Sequence, residues 1–337
     1  MKPTKLTFVM PVIFAVVLTS AHAQPVSTKP TVSVPKDSAP PWPVRPVRII
    51  NGFSIGGPTD ISARLLGPKL ADLWGQPVVL ENRTGAGGSI ASVITAQATP
   101  DGYTLLLTSA SFAINAVLRP NAGYDPLRDF ISVTQIGYST SAVVVRPSLT
   151  VKSVKELMAL AMERPGKMLY GSAGAGSGTH MTTERFNLSA GIKGTHVAFK
   201  GQSEMVIELL AGRLDYGIPT LGPALGMIKD GRLRALAVVT PKRSPLLPDV
   251  PAVTEILPSF RRDAAHMIMA PAKTPRHIVN KISRDVARVL DMPDVKKQME
   301  TIDFTPAPTT PEEFDKILRA MLVTFDEVAR AAGLKAP

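Results

Sequence analysis

The sequence predicts an α/β fold in which mostly parallel strands are covered by helices on both faces. Short apolar runs alternate along the chain with segments whose apolar residues recur at helical spacing, and this alternation is typical of strands joined by helical crossovers. The strand candidates are residues 47–53, 78–81, 104–108, 142–145, 169–171, 196–199, 216–218 and 235–239.

The C-terminal third is predicted to be helical. Thr310 and Glu313 have the spacing of a capping box, in which a hydroxyl and a carboxylate bond to free backbone amides. A final helix is therefore expected from residue 311 to about residue 331. Pro68 falls inside an earlier segment with helical spacing. Because proline removes a backbone donor and clashes with the preceding turn, we expect that helix to kink or end early.

The start of the chain predicts export. A positively charged beginning is followed by an apolar run over residues 6–18 and a small-x-small cleavage pattern at residues 21–23. The run is shorter than the roughly 20 residues needed to cross a bilayer, so residues 1–23 are predicted to be a cleaved signal peptide and the mature protein to be periplasmic. Residues 24–41 are rich in Pro, Ser, Thr and Val and predict a disordered linker.

Composition narrows the classes of ligand. The chain has 38 basic and 27 acidic residues, a formal charge of +11, and removing the two lysines of the predicted signal peptide leaves +9. This excess favours anionic ligands. With five Tyr and two Trp residues, a nucleic-acid groove with stacked bases is not expected. The chain has no cysteine, and its five histidines show no metal-ligand spacing, so neither a metal site nor a cofactor is predicted.

Four segments rich in glycine and hydroxyl residues follow predicted strands. They are residues 53–60, 82–88, 108–111 and 171–180. Glycines let backbone amides converge at a helix N-terminus, where the partial positive charge favours an anion. Such turns lie at the carboxyl ends of strands, the edge at which open α/β sheets bind ligands. Short glycine turns also simply close strand-to-helix connections, and this interpretation stays open.

Two other functions compete for the same turns. Residues 171–178 superficially offer the Gly-x-Gly-x-x-Gly spacing of a nucleotide loop, but the glycines are out of register and no Gly-Lys-Ser/Thr sequence occurs. Residues 52–56 match the Gly-x-Ser-x-Gly elbow of serine hydrolases, with Ser54 as nucleophile. A hydrolase also needs an acid and a histidine, and no histidine stands in a distinguishing context. No catalytic residue is therefore predicted, and the hydrolase stays an alternative.

Ordered sequence matches to a known family run through nearly all of the mature chain. They include WPVRPVRII at 42–50, GGPTD at 56–60, GQPVVLENR at 75–83, PDGYTLL at 100–106, GRLRALA at 231–237, LPDVP at 247–251 and TPEEF at 310–314. On these residues the chain resembles the Bug-type, TctC-like periplasmic solute receptors of tripartite tricarboxylate transporters.

The resemblance implies a two-lobed periplasmic binding protein fold, similar to type II, with mixed or parallel sheets flanked by helices and a hinge of two chain crossings. Residues 42–141 and 264–337 would form the first lobe, and residues 142–263 the second. It implies a monomeric receptor, not an enzyme, that captures a small carboxylate between its lobes. Its partners would be membrane transporter subunits; a ligand-sensing partner of a membrane signalling protein is the other possibility.

The resemblance also implies where the solute binds. Its carboxylate would be held by backbone groups and ordered waters of two facing loops, residues 54–59 and 172–179, with hydroxyl groups at strand ends nearby. The candidate ligand-binding residues are Ser54, Ile55, Gly56, Gly57, Pro58, Thr59, Ser109, Ser111, Ser172, Gly174, Ser177, Gly178, Thr179 and Thr220.

Two departures from the family pattern bear on specificity. Pro219 stands where family members usually have an acidic residue. Without that carboxylate an α-ammonium group has no obvious partner, and its unpaired burial would cost several kcal/mol, so a plain organic acid is favoured over an amino acid. Near the second crossing, the family's usual Trp is replaced around residues 265–267, Ala-His-Met, which would leave a differently shaped pocket beside His266. His266 either contacts the ligand or is a histidine that is solvated or has its own partners in the core.

Overall fold

The computed structural model describes most of the chain after the first 40 residues. The described residues are 41–53, 55–119, 121–240, 242–258, 260 and 265–334. The predicted signal peptide and all but the last residue of the predicted linker lie outside them. Within the described ranges, no helix combines the length and the apolar character that crossing a membrane requires.

Strands and helices alternate through the first three quarters of the chain, as predicted. The strands are β1 (Val47–Asn51), β2 (Val78–Asn82), β3 (Thr104–Ser109), β4 (Phe130–Ser139), β5 (Ala142–Val145), β6 (Met168–Ser172), β7 (Gly194–Ala198), β8 (Tyr216–Gly217), β9 (Arg234–Val238), β10 (Ala265–Pro271) and β11 (Phe304–Pro306). The α-helices are α1 (Pro58–Trp74), α2 (Ser89–Ala96), α3 (Ser111–Leu118), α4 (Val154–Glu163), α5 (Gly178–Ala190), α6 (Gln202–Leu210), α7 (Leu221–Lys229), α8 (Arg276–Leu290), α9 (Pro293–Thr301) and α10 (Pro311–Ala331).

The strands form two mixed sheets, one in each lobe. The first has the order β11-β4-β10-β3-β1-β2 and the second β7-β6-β8-β5-β9. In the first, β1 is parallel to β2 and β3, whereas β10 is antiparallel to β3 and β4. In the second, β6 is parallel to β7 and β8, and β5 is antiparallel to β8 and β9. Apolar clusters lie on both faces of each sheet, so helices cover both faces.

The sequence did not predict β4, β10 and β11. In β4 the buried positions include the polar residues Ser132, Thr134 and Gln135, which hide the apolar pattern of a buried strand. Hydrogen bonds to Thr309 offset part of this burial: Thr134 Oγ1 donates to the Thr309 carbonyl at 2.8 Å, and the Gln135 backbone amide donates to Thr309 Oγ1 at 3.0 Å. Tertiary partners therefore stabilise a strand that sequence periodicity does not reveal.

Two helix predictions had opposite outcomes. Helix α10 has the predicted bounds, and both hydrogen bonds of its capping box, between Thr310 and Glu313, are present. Helix α1, however, continues through Pro68 to Trp74, so the expected early end was wrong. Pro68 lies on the exposed side of the helix, where water can donate to the backbone carbonyl that the proline leaves without a partner. Leu66 and Leu70 anchor the opposite side in the core.

The chain passes from the first sheet to the second after β4 and returns at β10. The first crossing is bonded to both sheets: the Thr140 amide donates to the Asp303 carbonyl at 3.0 Å beside β11, and the Leu221 amide of α7 donates to the Thr140 carbonyl at 2.8 Å. The Val239 amide donates to the Ser141 carbonyl at 2.7 Å. The lobe boundaries proposed from the sequence, before residue 142 and after residue 263, remain a prediction.

Candidate functional site

The candidate residues that the structure describes lie at the carboxyl edges of the two sheets. Residues 52–57 follow β1, residues 83–88 follow β2, and Ser111 opens α3 directly after β3. In the second sheet, residues 173–177 follow β6 and Thr220 follows β8. Because the strands that carry these loops are parallel within each sheet, the loops emerge at one edge of it, as the sequence predicts for an open α/β fold.

The turn after β1 leads into the N-terminus of α1. Gly56 has φ +76°, a backbone conformation that favours glycine, and Gly57 is extended and precedes the first helical residue, Pro58. Ile55 is 74% exposed, whereas Thr59 is buried with no hydrogen-bond partner for its Oγ1. Ser54 lies outside the described residues.

Asp60 organises this first turn. Its buried carboxylate accepts the Gly56 amide at 2.9 Å, Arg64 Nε at 2.8 Å and Asn82 Nδ2 at 2.8 Å. Burial opposes ionisation, but the hydrogen bonds from Arg64, Gly56 and Asn82 outweigh it and hold the pKa of Asp60 below its usual value. An ionised Asp60 thus ties the turn to α1 and to the end of β2.

Asn82 extends this network to the main chain just before residue 54. Its Nδ2 donates at 2.9 Å to the Phe53 carbonyl, which Asn51 Nδ2 also approaches at 3.3 Å. Gly52 packs against the turn after β2, because a Cβ built on it would lie 2.9 Å from the Gly88 Cα. The glycine segments after β1 and β2 are therefore hydrogen-bonded and packed against each other.

The serines at the end of β3 and the start of α3, Ser109 and Ser111, lie near His266. Ser109 Oγ accepts the Ser111 amide at 3.4 Å, and Ser109 is opposite His266 in the pairing of β3 with β10. His266 is buried, with Nδ1 at 3.0 Å from Ser62 Oγ and Nε2 at 3.2 Å from Ser139 Oγ. Of the two roles considered for His266, these contacts favour the buried histidine with its own partners.

The turn after β6 is held by its own hydroxyls. The Gly174 amide donates to Ser172 Oγ at 3.1 Å, and Ser172 Oγ donates to the Gly174 carbonyl at 3.0 Å. Thr179 Oγ1 accepts the Ala173 amide at 2.9 Å and lies 3.0 Å from Ser177 Oγ. Ser177 caps α5. The structure thus brings four of the predicted residues, Ser172, Gly174, Ser177 and Thr179, into one hydrogen-bonded turn.

Two histidines lie behind that turn. His180 Nδ1 accepts the Gly176 amide at 3.1 Å, and His196 Nε2 lies 2.6 Å from Ser172 Oγ. The two rings stack with centroids 3.8 Å apart. Burial, assisted by the neighbouring His196, lowers the pKa of His180 from 6.5 to about 4, and burial also lowers the pKa of His196.

The two lobes meet next to these turns. Asn115 of α3 donates from Nδ2 to the Gly87 carbonyl at 2.8 Å, and its partnerless Oδ1 would lie 3.6 Å from a Cβ built on Gly176. A Cβ on Gly178 would lie 3.9 Å from Ser111 Oγ. Met181 of α5 is buried in the apolar cluster of the first lobe. Glycine at 176, where φ is +75° and a Cβ would lie 3.3 Å from Leu118 Cδ1, therefore permits the close approach of the turn after β6 to α3.

Thr220 is tied to a different neighbour. Its amide and its Oγ1 both donate to Gln202 Oε1, at 2.8 and 3.1 Å. Thr220 also forms a bridge with Ser141 at the first crossing. It therefore lies at the carboxyl edge of the second sheet, between α6, α7 and the crossing.

The predicted ligand-binding residues do not include six residues that shape the site: Asp60, Asn82, Asn115, His180, His196 and Gln202. Three of these six, Asp60, Asn82 and His180, lie inside the glycine segments identified from the sequence. Asp60 and His180 each lie in the first turn of a helix that follows a glycine segment, which was an available signal. The others are distant in sequence from the groups they contact, so no spacing rule could have paired them.

The buried state of His180 predicts a loss of stability in acid. In the unfolded chain His180 takes up a proton near pH 6.5, whereas in the folded protein it does so only near pH 4. The contribution of His180 to the free energy of unfolding is therefore constant above about pH 6.5 and falls as the pH decreases below that value. This group should contribute a loss of about 3 kcal/mol by about pH 4. Chemical denaturation across this range should show a smaller loss for His180→Asn, whereas exposed His277→Asn should behave like the unmodified protein. Equal losses in all three would contradict this assignment.

The chain is similar to known receptor proteins in sequence and in fold. A family model described as the tripartite tricarboxylate transporter family receptor matches residues 62–334. BugT of Bordetella pertussis is 34% identical over 301 residues, which cover 88% of this chain and 92% of BugT. The R. palustris protein Rpa4515, solved with adipate, has a TM-score of 0.79 at 32% identity and covers 87% of this chain and 98% of its own.

A second solved structure is MatC of Rhodopseudomonas palustris with bound malate. Its TM-score is 0.75 at 28% identity, over 85% of this chain and 99% of MatC. These matches extend over both lobes, and they confirm the resemblance and the two-lobed α/β fold predicted from the sequence. This chain belongs to the receptor family of the tripartite tricarboxylate transporters.

Proposed function

We propose that this protein is a periplasmic receptor that binds a small organic carboxylate between its two lobes and presents it to membrane transporter subunits. One observation carries the proposal. Glycine turns at the carboxyl edges of both sheets, residues 55–59 and 172–179, each open a helix N-terminus, and the second turn packs against the first lobe.

The chemistry of these helix ends suits a carboxylate. The first amides of a helix have no carbonyl partner one turn earlier, so those of Thr59, Asp60, Gly178 and Thr179 are available by helix geometry. The helix dipoles of α1 and α5 add partial positive charge at the same points. An anion can therefore be held by the main chain without a dedicated arginine or lysine, and the basic excess of the chain favours its approach.

The solute is best described as a plain organic acid. Adipate and malate, named with the two similar structures, are both acids without an amino group. In this chain Pro219 takes the place of the acidic residue, and its carbonyl accepts the Ala142 amide at 3.0 Å. Asp60, the carboxylate of the first turn, already accepts three hydrogen bonds. An α-ammonium group would compete for an acceptor that is already in use.

The role is capture rather than catalysis. The close contact of Ser172 with His196 has the components of a nucleophile and a base, but Ser172 is fully buried and its hydroxyl bonds to Gly174. Its position supports a structural role in the turn, because a nucleophile must reach its substrate.

Thermal-shift screening of the purified, refolded protein tests this function. A panel of mono-, di- and tricarboxylates, including malate and adipate, should contain an acid that raises the melting temperature. At 100 times its dissociation constant such an acid should stabilise the protein by about 2.7 kcal/mol. The uncharged amides of the same acids are the matched controls and should have no effect. If no acid shifts the melting temperature, or if the amides shift it equally, carboxylate capture is wrong.

A further inference from the structure

The glycine turn after β6, residues 172–179, rests on two stacked histidines. His180 and His196 are both largely enclosed, and Tyr170 extends the stack, its ring centroid 5.1 Å from that of His196. Each histidine directs one ring nitrogen at the turn that we propose to bind the solute. A stack of this kind gives the turn a rigid support, and the support contains two groups that can titrate.

His180 can support the turn only when it is uncharged. Its Nδ1 accepts the Gly176 amide at 3.1 Å, and an accepting nitrogen carries no proton. The ring proton of neutral His180 then lies on Nε2. Protonation at Nδ1 would remove the acceptor, release the Gly176 amide, and place a positive charge against the ring of His196 at 3.8 Å.

His196 supports the turn through Ser172. With a proton on its Nε2, His196 donates to Ser172 Oγ at 2.6 Å. The hydroxyl can then accept the Gly174 amide at 3.1 Å and donate to the Gly174 carbonyl at 3.0 Å. Every donor and acceptor around Ser172 is satisfied in this arrangement.

We propose that His180 and His196 are positioning residues for solute binding, which hold Gly174 and Gly176 in the binding conformation and weaken binding when acid charges His180. This inference rests on the proposed function and specifies its regulation. The solute itself would touch neither ring. Both histidines act through the turn, so acid should loosen the turn before the lobe unfolds.

Other ionisable groups surround the stack. Tyr170 of β6 and Tyr216 of β8 lie on one side, and burial raises the pKa of both hydroxyls. Glu184 and Arg185 lie one turn along α5 from His180, and Asp215 precedes β8. The Glu184 carboxyl accepts the Tyr170 hydroxyl, and burial raises its pKa, so it is a poor counter-ion for a charged His180. These surroundings favour the neutral stack.

The test uses malate and adipate as probes and compares variants in the same buffers. Their dissociation constants are measured by calorimetry at about pH 7.5, where His180 is uncharged, and at about pH 4, where about half of the folded protein carries a charged His180. His180→Asn keeps an acceptor near the position of Nδ1 but cannot titrate, whereas His180→Leu removes the acceptor. His196→Gln keeps a donor toward Ser172. His277→Gln is the control, because His277 is exposed on α8.

For the unmodified protein and the His277 control, the dissociation constant should rise about twofold from the higher to the lower pH, beyond the rise caused by protonation of the acids themselves, because about half of His180 is then charged. In His180→Asn this additional rise should be absent, with affinity near that of the unmodified protein at the higher pH. His180→Leu should bind about tenfold more weakly even at the higher pH, because the Gly176 amide loses its partner. Any effect of the acids' own ionisation is common to all variants and cancels in the comparison.

A measurement without solute separates this inference from the proposed function. Amide hydrogen exchange of the free protein should show Gly174 and Gly176 losing protection in acid, and His180→Asn should retain it. Protection that persists at the lower pH, or an equal pH dependence of affinity in His180→Asn, overturns the positioning role. Absence of binding by every carboxylate, with protection behaving as expected, overturns the proposed function alone.

Discussion

Replacing Gly57 by aspartate should weaken carboxylate binding by about hundredfold or more, a loss of about 2.7 kcal/mol of binding free energy, while the protein remains folded. Gly57 is the cap of α1, and its φ of −74° and ψ of 163° are accessible to any residue. Aspartate is a favoured residue at a helix cap, where its side chain accepts the first amides. Those are the amides that the solute would use, so the new carboxylate should occupy the site and repel the anion.

Gly57→Asn tests whether binding is lost through repulsion of the anion or through occupation of the helix amides by the new side chain. Asparagine caps a helix about as well as aspartate but carries no charge. Its binding should fall less than that of Gly57→Asp, and both variants should unfold at or above the denaturant midpoint of the unmodified protein. Calorimetry with the acid selected by thermal shift measures the affinity. Unchanged affinity in Gly57→Asp would show that the N-terminus of α1 lies outside the binding site.

Asp60→Ala should destabilise the protein by about 2–3 kcal/mol, because it leaves three donors of the first turn without their acceptor. The Asp60 side chain is 1% exposed, whereas Arg64 is 54% exposed and can turn to water. The main loss therefore comes from the Gly56 amide and from Asn82. Binding should also weaken by about tenfold, because the turn loses its attachment to α1.

Asp294→Ala is the matched control, since it also removes an aspartate from an ion pair. Asp294 lies 2.6 Å from Lys69, but both side chains are largely solvent-exposed. Exposed pairs contribute little, so this variant should change stability by less than about 0.5 kcal/mol and leave binding unchanged. Urea denaturation and calorimetry measure both quantities. Equal effects of the two substitutions would mean that Asp60 has no special role in the turn.

Local signals were sufficient for part of the fold. The capping pair Thr310 and Glu313 predicted the start of α10, because a capping box involves residues only three positions apart. Glycine segments after apolar runs likewise indicated where the strand-to-helix turns lie. Pro68 misled the same kind of reasoning, since its cost depends on whether the freed carbonyl faces water. The prediction did not use the apolar spacing of Leu66 and Leu70, which already places Pro68 on the opposite, exposed side of the helix.

Distant contacts account for what the sequence did not reveal. Strand β4 is stabilised by Thr309, about 170 positions along the chain, and its polar residues disguise its burial. His266 is held between Ser62 and Ser139. Such partners are brought together by sheet order, and sheet order depends on many weak contacts across the whole chain.

The sequence by itself determined the alternation of strands and helices, the glycine turns, and the family resemblance. Each of these features depends on residues that are close together in the sequence. Tertiary structure alone decided that Asp60 anchors the first turn, that stacked histidines support the second, and that Asn115 stands between turns of different lobes. The physical reason is the short range of hydrogen bonds: they act over about 3 Å, so their partners are defined only after the chain has brought distant segments together.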